Sequence, residues 1–307
     1  MAYDVGDHLV VGIASSALFD LADSDRVFRE DGEQAYRRFQ EQHRDQPLRP
    51  GVAFPFARRL LSLNDVSPVD VIVLSQNDPD TGLRVMRSIA HHQLPITRAI
   101  FTQGRAPYRF MPALNMCLFL SANESDVRQA VDAGLPAGRV LDSTFVDDER
   151  DDELRIAFDF DGVLASDSSE RVMQAEGLDR FQSHEVANAV TPLEPGPLKN
   201  FLAAVNRIQR CEEEHRLANP DYRNRVRVSI VTARGAPAHE RAVLSLKRWG
   251  VMVNDAFFLG GIGKAGILDV LKPHIFFDDQ PLNLTSREVP SVHVPFGVIN
   301  EAEQSEH

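Results

Sequence analysis

In Ile156-Ala157-Phe158-Asp159-Phe160-Asp161-Gly162-Val163-Leu164 an apolar run ends in two carboxylates with one residue between them. Such a run reads as a buried strand. Side chains two apart on a strand face the same way, so Asp159 and Asp161 can converge on one metal ion or one phosphoryl group. A carboxylate held against a hard divalent cation can attack phosphorus and form an acyl-phosphate, while its neighbour delivers and removes protons. Taken alone, the pattern reads equally well as a solvated acidic turn.

Three further segments bear on that choice. Val228-Ser229-Ile230-Val231 stops at Thr232-Ala233-Arg234-Gly235, offering a hydroxyl and free backbone N–H groups where a strand gives way to a helix N-terminus, a phosphate-binding arrangement. In Phe257-Phe258-Leu259-Gly260-Gly261-Ile262-Gly263-Lys264, glycines precede a lysine able to approach phosphate as a point charge. Ile275-Phe276-Phe277 ends in Asp278-Asp279, whose carboxylates complete a metal site with the first pair. Singly, these are a threonine helix cap, a solvated lysine and an acidic turn. Their order, each at the end of a successive strand, favours one site that handles phosphate.

The four segments resemble the motifs of the haloacid-dehalogenase-like (HAD-like) phosphohydrolases: Asp-x-Asp, a Ser/Thr at a strand end, a Lys and a final acidic pair. The sequences from Arg155 to Glu170, Gly196-Pro197-Leu198-Lys199, Val231 to Arg234, Lys272 to Gln280 and His293 to Val298 resemble, more narrowly, the cytosolic 5'-nucleotidases of type I and their bacterial relatives. Ser15-Ser16-Ala17-Leu18-Phe19 and Pro50 to Phe56 extend the likeness into the first half. The chain departs from the eukaryotic members at Phe160 and Gly162, where they carry Gly and Ala.

The resemblance implies Mg²⁺-dependent hydrolysis of nucleoside 5'-monophosphates, AMP among them. Asp159 is then the nucleophile and Asp161 the general acid and base. The Mg²⁺ ligands are the Asp159 carboxylate, the Asp161 backbone carbonyl and one of Asp278 and Asp279. Thr232, the amides around Gly162 and Ala233, and Lys264 bind the transferring oxygens. Arg234 and Lys199 are candidates for phosphate or ribose contact, with ordinary surface salt bridges the alternative. Phe181 and His184 are candidates for base recognition because an expected cap would carry it, with a structural role the alternative. Two other functions stay open: a phosphatase or phosphotransferase of the same fold acting on another small phosphate monoester, and a non-catalytic nucleotide-binding regulator.

The chain has 307 residues, 43% hydrophobic and 25% charged, enough for two domains. A formal charge of −12 argues against coating polymeric nucleic acid, which needs an excess of Lys and Arg. A small-molecule nucleotide needs only local cations. Cys117 and Cys211 are too few for a disulfide framework and lack metal-ligand spacing, which suggests thiols in a reducing, cytoplasmic setting. Leu9 to Leu21 is too short to span a membrane and follows Asp4, Asp7 and His8 instead of a basic leader start, so no membrane partner is expected. The composition is compatible with a homo-oligomer.

Strand-like runs at 9–14, 70–75, 98–102, 117–121, 155–160, 226–232, 256–259 and 274–277 alternate with helical stretches such as 80–92 and 237–249. This predicts an α/β fold of parallel Rossmann-like sheets, with ligands beyond the strand carboxyl ends. The resemblance makes the core HAD-like, with a helical cap inserted after the first motif, about 168–222. Phe201, Leu202, Val205 and Ile208 supply its helical spacing, and a cap would exclude water from the site.

The chain also matches itself. At an offset of 145, Asp25-Arg26-Val27-Phe28 falls on Glu170-Arg171-Val172-Met173 and Pro47-Leu48-Arg49-Pro50-Gly51 on Pro192-Leu193-Glu194-Pro195-Gly196. At 157, Val73-Leu74-Ser75 falls on Ile230-Val231-Thr232 and Leu118 to Ser121 on Ile275 to Asp278. This predicts an internal duplication, 1–150 being a degenerate half and 151–307 the catalytic half. Ala14, Ser16, Pro107, Ser121 and Ala122 stand where Asp159, Asp161, Lys264, Asp278 and Asp279 stand, and only Ser75 keeps the hydroxyl of Thr232. The first half is then scaffold, effector site or pocket wall. The competing explanation is shared βα periodicity, which makes offset matches common.

Overall fold

Runs rich in Val, Ile, Leu and Phe become strands here because helices cover the sheet on both faces, so that apolar side chains are buried on either side of it. The structure, a computed structural model, describes residues 8–302; Asp4 and Asp7 lie outside the described residues. The strands are β1 (Leu9–Ile13), β2 (Val69–Ser75), β3 (Arg98–Phe101), β4 (Leu118–Ser121), β5 (Ala137–Val140), β6 (Leu154–Phe158), β7 (Val226–Thr232), β8 (Asp255–Phe258), β9 (Ile275–Asp278) and β10 (Ser291–His293). They form one ten-stranded sheet in the order β3-β2-β1-β4-β5-β10-β9-β6-β7-β8. All neighbours are parallel except β5 and β10, which pair antiparallel through Arg139 with His293 and Val140 with Val292.

All eight runs expected from the sequence are strands. The expected separate parallel sheets are instead one mixed sheet, because two short strands missing from the expectation, β5 and β10, join edge to edge between the halves. No helix among the described residues is long and apolar enough to cross a membrane.

The two halves of the sheet follow the same path, and their registers agree at the offsets found in the sequence. Ile13 pairs with Val73 and Leu120, and Phe158 with Ile230 and Phe277. Ser75 pairs with Phe101, and Thr232 with Phe258. Gly32 (φ +80°, ψ −179°) kinks the helix Ala22–Gln42, and Gly177 (φ +80°, ψ 179°) separates Ser168–Glu176 from Leu178–Ala187. Both glycines hold a backbone conformation that L side chains rarely adopt, at positions 145 apart.

Helix Lys199–Ala218 corrects the expected extent of the cap. Its Phe201, Leu202, Val205 and Ile208 are buried, with the Phe201 ring 6.0 Å from Phe158 and 5.9 Å from Phe277 on the sheet. An apolar stripe at helical spacing records that a face is covered but not by what, and here the sheet covers it. Outside that core layer the insertion leaves Ser168–Glu176 and Leu178–Ala187, whose buried residues are polar: Ser169 and Glu185.

Candidate active site

β6, β7 and β9 deliver their carboxyl ends to one place. The Asp159 N–H donates to Phe277 O at 2.7 Å, fixing the turn after β6 against β9, where Asp278 and Asp279 follow. Lys264 begins the helix Ala265–Leu271 and reaches the same spot. Its Nζ donates to Asp278 Oδ2 at 2.6 Å. It also lies 3.0 Å from Asp159 Oδ1, an ion pair without hydrogen-bond geometry. All four side chains are buried.

The two acids of the final pair differ. Asp278 is satisfied on both oxygens, since Oδ1 accepts from the Gln280 N–H at 2.8 Å and Asn283 Nδ2 at 3.1 Å. Asp279 Oδ1 has no hydrogen-bond partner, and neither has Asp159 Oδ1. Gly162, at φ +72°, lets the chain run against Asp279: a Cβ there would stand 2.4 Å from Asp279 Oδ2.

With all groups ionised this inner cluster carries three negative charges against one positive. Burial pushes the Asp159 carboxyl well above the usual range; Lys264 opposes this, and Asp278 and Asp161 add to it. Burial raises Asp279 as well, reinforced by Asp159 and Asp278. Lys264 would lose affinity for its proton through burial, but Asp159 and Asp278 more than reverse that. One oxygen from each of Asp159, Asp278 and Asp279 can be chosen within 4.8 Å of the others. Orphaned carboxylate oxygens, excess negative charge and an all-oxygen donor set fit a hard divalent cation. Asp279 is the acid of its pair with an oxygen to spare for one.

Beside this cluster lies a second, charge-balanced one. Arg234 grips Asp161 with two hydrogen bonds, Nε to Oδ2 at 2.6 Å and Nη2 to Oδ1 at 2.7 Å. Its Nη1 donates to Glu185 Oε2 and to Ala238 O. Glu185 Oε1 accepts from Arg241 Nη1 and from Ser169 Oγ, each at 2.8 Å. Burial alone would lower the Arg234 guanidinium pKa, but Asp161 and Glu185 raise it. Burial alone would raise Glu185, but Arg234, Ser169 and Arg241 hold it below the usual range.

The remaining sequence candidates fall around this frame. Thr232 Oγ1 accepts from the Arg234 N–H at 3.2 Å, so its own proton is left for another acceptor. Ala233 is exposed, and its carbonyl accepts from the Gly261 N–H at 3.1 Å, tying this turn to the glycine loop before Lys264. The helix is His239–Trp249, close to the expected 237–249, but a turn separates it from Thr232, so the free N–H groups beside Thr232 belong to that turn and not, as expected, to the helix N-terminus. Arg234 is no surface salt bridge, being 4% exposed. The Phe181 ring lies 5.5 Å from Arg234 Cζ, and His184 Nδ1 lies 3.2 Å from Glu185 Oε1, which places both beside the second cluster. Lys199 is the half-buried first residue of its helix, and among the described residues no hydrogen bond or ion pair ties it to either cluster.

A protein-family profile described as 5'-nucleotidase matches residues 1–301. The chain belongs to the 5'-nucleotidase family. It is 32% identical over 288 residues to human cytosolic 5'-nucleotidase 1B, an alignment covering 90% of this chain and 46% of that protein, so the chain spans about half the length of that relative. No solved structure matches it.

The stretches that carry the family resemblance did not include Glu185 or Arg241, and Ser169, though inside Arg155 to Glu170, was given no role there. Each sits on a different helix, Ser169 on Ser168–Glu176, Glu185 on Leu178–Ala187 and Arg241 on His239–Trp249. The self-match held the available signal, since Gln40 and Arg84 stand at the positions of Glu185 and Arg241.

Proposed function

We propose that this protein hydrolyses nucleoside 5'-monophosphates to nucleoside and phosphate, using Mg²⁺ and an aspartyl-phosphate on Asp159. The observation that carries this reading is the buried cluster of Asp159, Asp278, Asp279 and Lys264 at adjoining strand ends, in a chain of the 5'-nucleotidase family. The Asp159 carboxylate attacks phosphorus in line, and the bond to the ribose 5'-oxygen breaks as Asp161 gives that oxygen its proton. Asp161 then takes a proton from the water that attacks the acyl-phosphate, releasing phosphate and restoring both acids. Lys264, the Thr232 hydroxyl and the turn amides hold the transferring oxygens as their charge redistributes. Asp159, Asp279 and the Asp161 carbonyl would hold Mg²⁺, which offsets repulsion between carboxylate and phosphate when bound.

We read the chain as a duplication in which residues 1–150 lost the chemistry, supported by the matching strand registers and by Ala14, Ser16, Ser121 and Ala122 at the positions of the acids. The helices 168–187 serve as cover for the site, supported by the hold of Glu185 on Arg234. A cytosolic location agrees with the name of the human relative.

The test is phosphate release from purine and pyrimidine nucleoside 5'-monophosphates, 3'-monophosphates and sugar phosphates, with Mg²⁺ or with EDTA. Turnover of 5'-nucleotides that vanishes in EDTA and returns with Mg²⁺ is expected. Cleavage of sugar phosphates with every 5'-nucleotide ignored moves the substrate to another small monoester.

A further inference from the structure

We propose that Glu185 is a positioning residue for the reaction: it anchors Arg234, and Arg234 in turn fixes the orientation of Asp161. The proposal rests on the reading of Asp161 as general acid and base given above. Both oxygens of Asp161 are taken by Arg234, at 2.6 and 2.7 Å, so the direction of this carboxylate is set by the guanidinium. That guanidinium lies near two rings, 5.3 Å from Phe160 and 5.5 Å from Phe181, and its Nη1 is ion-paired with Glu185, 1% exposed. Glu185 is carried by the helix Leu178–Ala187, outside the sheet, so the placement of that helix is transmitted to Asp161 through a single arginine.

The first half of the chain supplies an internal control. Arg84 Nη1 donates to Gln40 Oε1 at 3.2 Å where Arg241 Nη1 donates to Glu185 Oε1 at 2.8 Å. The surroundings repeat. Arg84 Nε donates to Gln46 O and Arg241 Nε to Thr191 O. Ser88 Oγ accepts from the Leu48 N–H and Ser245 Oγ from the Leu193 N–H. Holding this arginine therefore takes only an amide oxygen. What differs is the next residue along: Asn77 stands at the position of Arg234, and Ser16 at that of Asp161. The carboxylate at 185 thus goes with Arg234 and Asp161. When Asp161 is ionised, as it is between giving its proton to the leaving oxygen and taking one from water, the chain of contacts Asp161, Arg234, Glu185, Arg241 alternates in sign and sums to zero, and Glu185→Gln would leave it with one unbalanced positive charge while removing the ionic anchor of Arg234.

Because the Gln40 arrangement folds, Glu185→Gln is the variant to make. Its kcat on a nucleoside 5'-monophosphate, whose alkoxide must be protonated to leave, should fall about 10- to 100-fold, with KM changed by no more than about 3-fold. On 4-nitrophenyl phosphate, whose leaving group needs no proton, the fall should be about 3-fold or less. Equal losses on both esters, or a kcat within about 2-fold of wild type on both, would remove Glu185 from the positioning role. A thermal-melting cycle of Glu185→Gln, Arg234→Asn and the double variant reads the linkage without turnover. The double variant removes both charges of the pair and leaves neither partner alone, so its melting loss should be smaller than the sum of the single losses. Additive losses overturn the proposal even in an active enzyme. Coupled losses in a protein that cleaves neither ester would leave the link from Glu185 to Arg234 standing while the proposed activity, and with it the positioning role, fell.

Discussion

Asp279→Asn removes a carboxyl that, without a cation, burial forces to keep its proton or to hold an unpaired charge, and does so with little change of shape, so it should raise stability and lower turnover together. In the folded protein, burial and the neighbouring Asp159 and Asp278 hold the Asp279 carboxyl above its ordinary range, near 3.9 in an unfolded chain. The folded state therefore keeps a proton that the unfolded chain releases. In the absence of a divalent cation, the contribution of this group to stability is full below about pH 4 and is lost as pH rises towards the raised folded value, a window that extends past neutrality. Asparagine has no charge to bury. An unpaired buried charge costs on the order of 3 kcal/mol. With an unfolding entropy of about 2.1 cal/mol/K per residue over 307 residues, that corresponds to a melting shift of about 5 °C.

The assay is thermal unfolding in EDTA at about pH 5 and about pH 8.5, followed by the same melts with Mg²⁺. The variant should melt about 5 °C above wild type at the higher pH and only about 2 °C above it at the lower, about one unit above the unfolded value. Added Mg²⁺ should raise the wild type and leave the variant almost unmoved, because the cation replaces the missing positive charge only where the carboxylate is present. Phosphate release at saturating Mg²⁺ should fall about 10²- to 10³-fold. A variant that melted below wild type in EDTA at the higher pH would refute the reasoning, since it would mean that Asp279 has a stabilising partner and the cluster needs no cation.

Asp159→Asn should lower turnover about 10⁴-fold or more with an unchanged circular dichroism spectrum, and wild-type phosphate release from it would remove Asp159 as the nucleophile. His274, 1% exposed at the start of β9, is pushed down to about 3 by burial and by Arg59 and Arg155, so it is neutral when folded. The unfolded histidine takes up a proton near pH 6.5, and stability is therefore lost as pH falls from about 6.5 towards 3; His274→Gln should flatten that slope in urea titrations run at several pH values. A Cβ at Gly196 would lie 2.4 Å from the Ala165 carbonyl oxygen, and one at Gly51 would lie 2.8 Å from that of Ala17. Gly196→Ala and Gly51→Ala should each destabilise by about 3 kcal/mol in denaturant melts, and a neutral result at either would show that the chain there yields to a methyl group.

Asp159, Asp161, Thr232, Lys264 and the Asp278-Asp279 pair were legible as candidates in the sequence because each stands where an apolar run stops or just before a helix begins, and the structure brings Asp159, Lys264, Asp278 and Asp279 together. Eight strands were legible for the same reason: Val-, Ile-, Leu- and Phe-rich runs buried on both faces leave a strong local signal. β5 and β10 were not. They are four and three residues long, too short for any period to show, yet they join the two halves into one sheet through a pairing set wholly by distant chain. The spacing of Phe201, Leu202, Val205 and Ile208 did announce a helix. Only the packing decided that its stripe covers Phe158 and Phe277 rather than the mouth of the site. Tertiary structure likewise decided that Asp278 holds Lys264 while Asp279 keeps an oxygen without a partner, since neighbours in sequence at a strand end point to opposite sides. The link from Asp161 through Arg234 to Glu185 and Arg241 joins residues up to 80 positions apart, the span from Asp161 to Arg241. A local pattern records that a side chain is buried; which charge it meets there is fixed only when the helices close on the sheet.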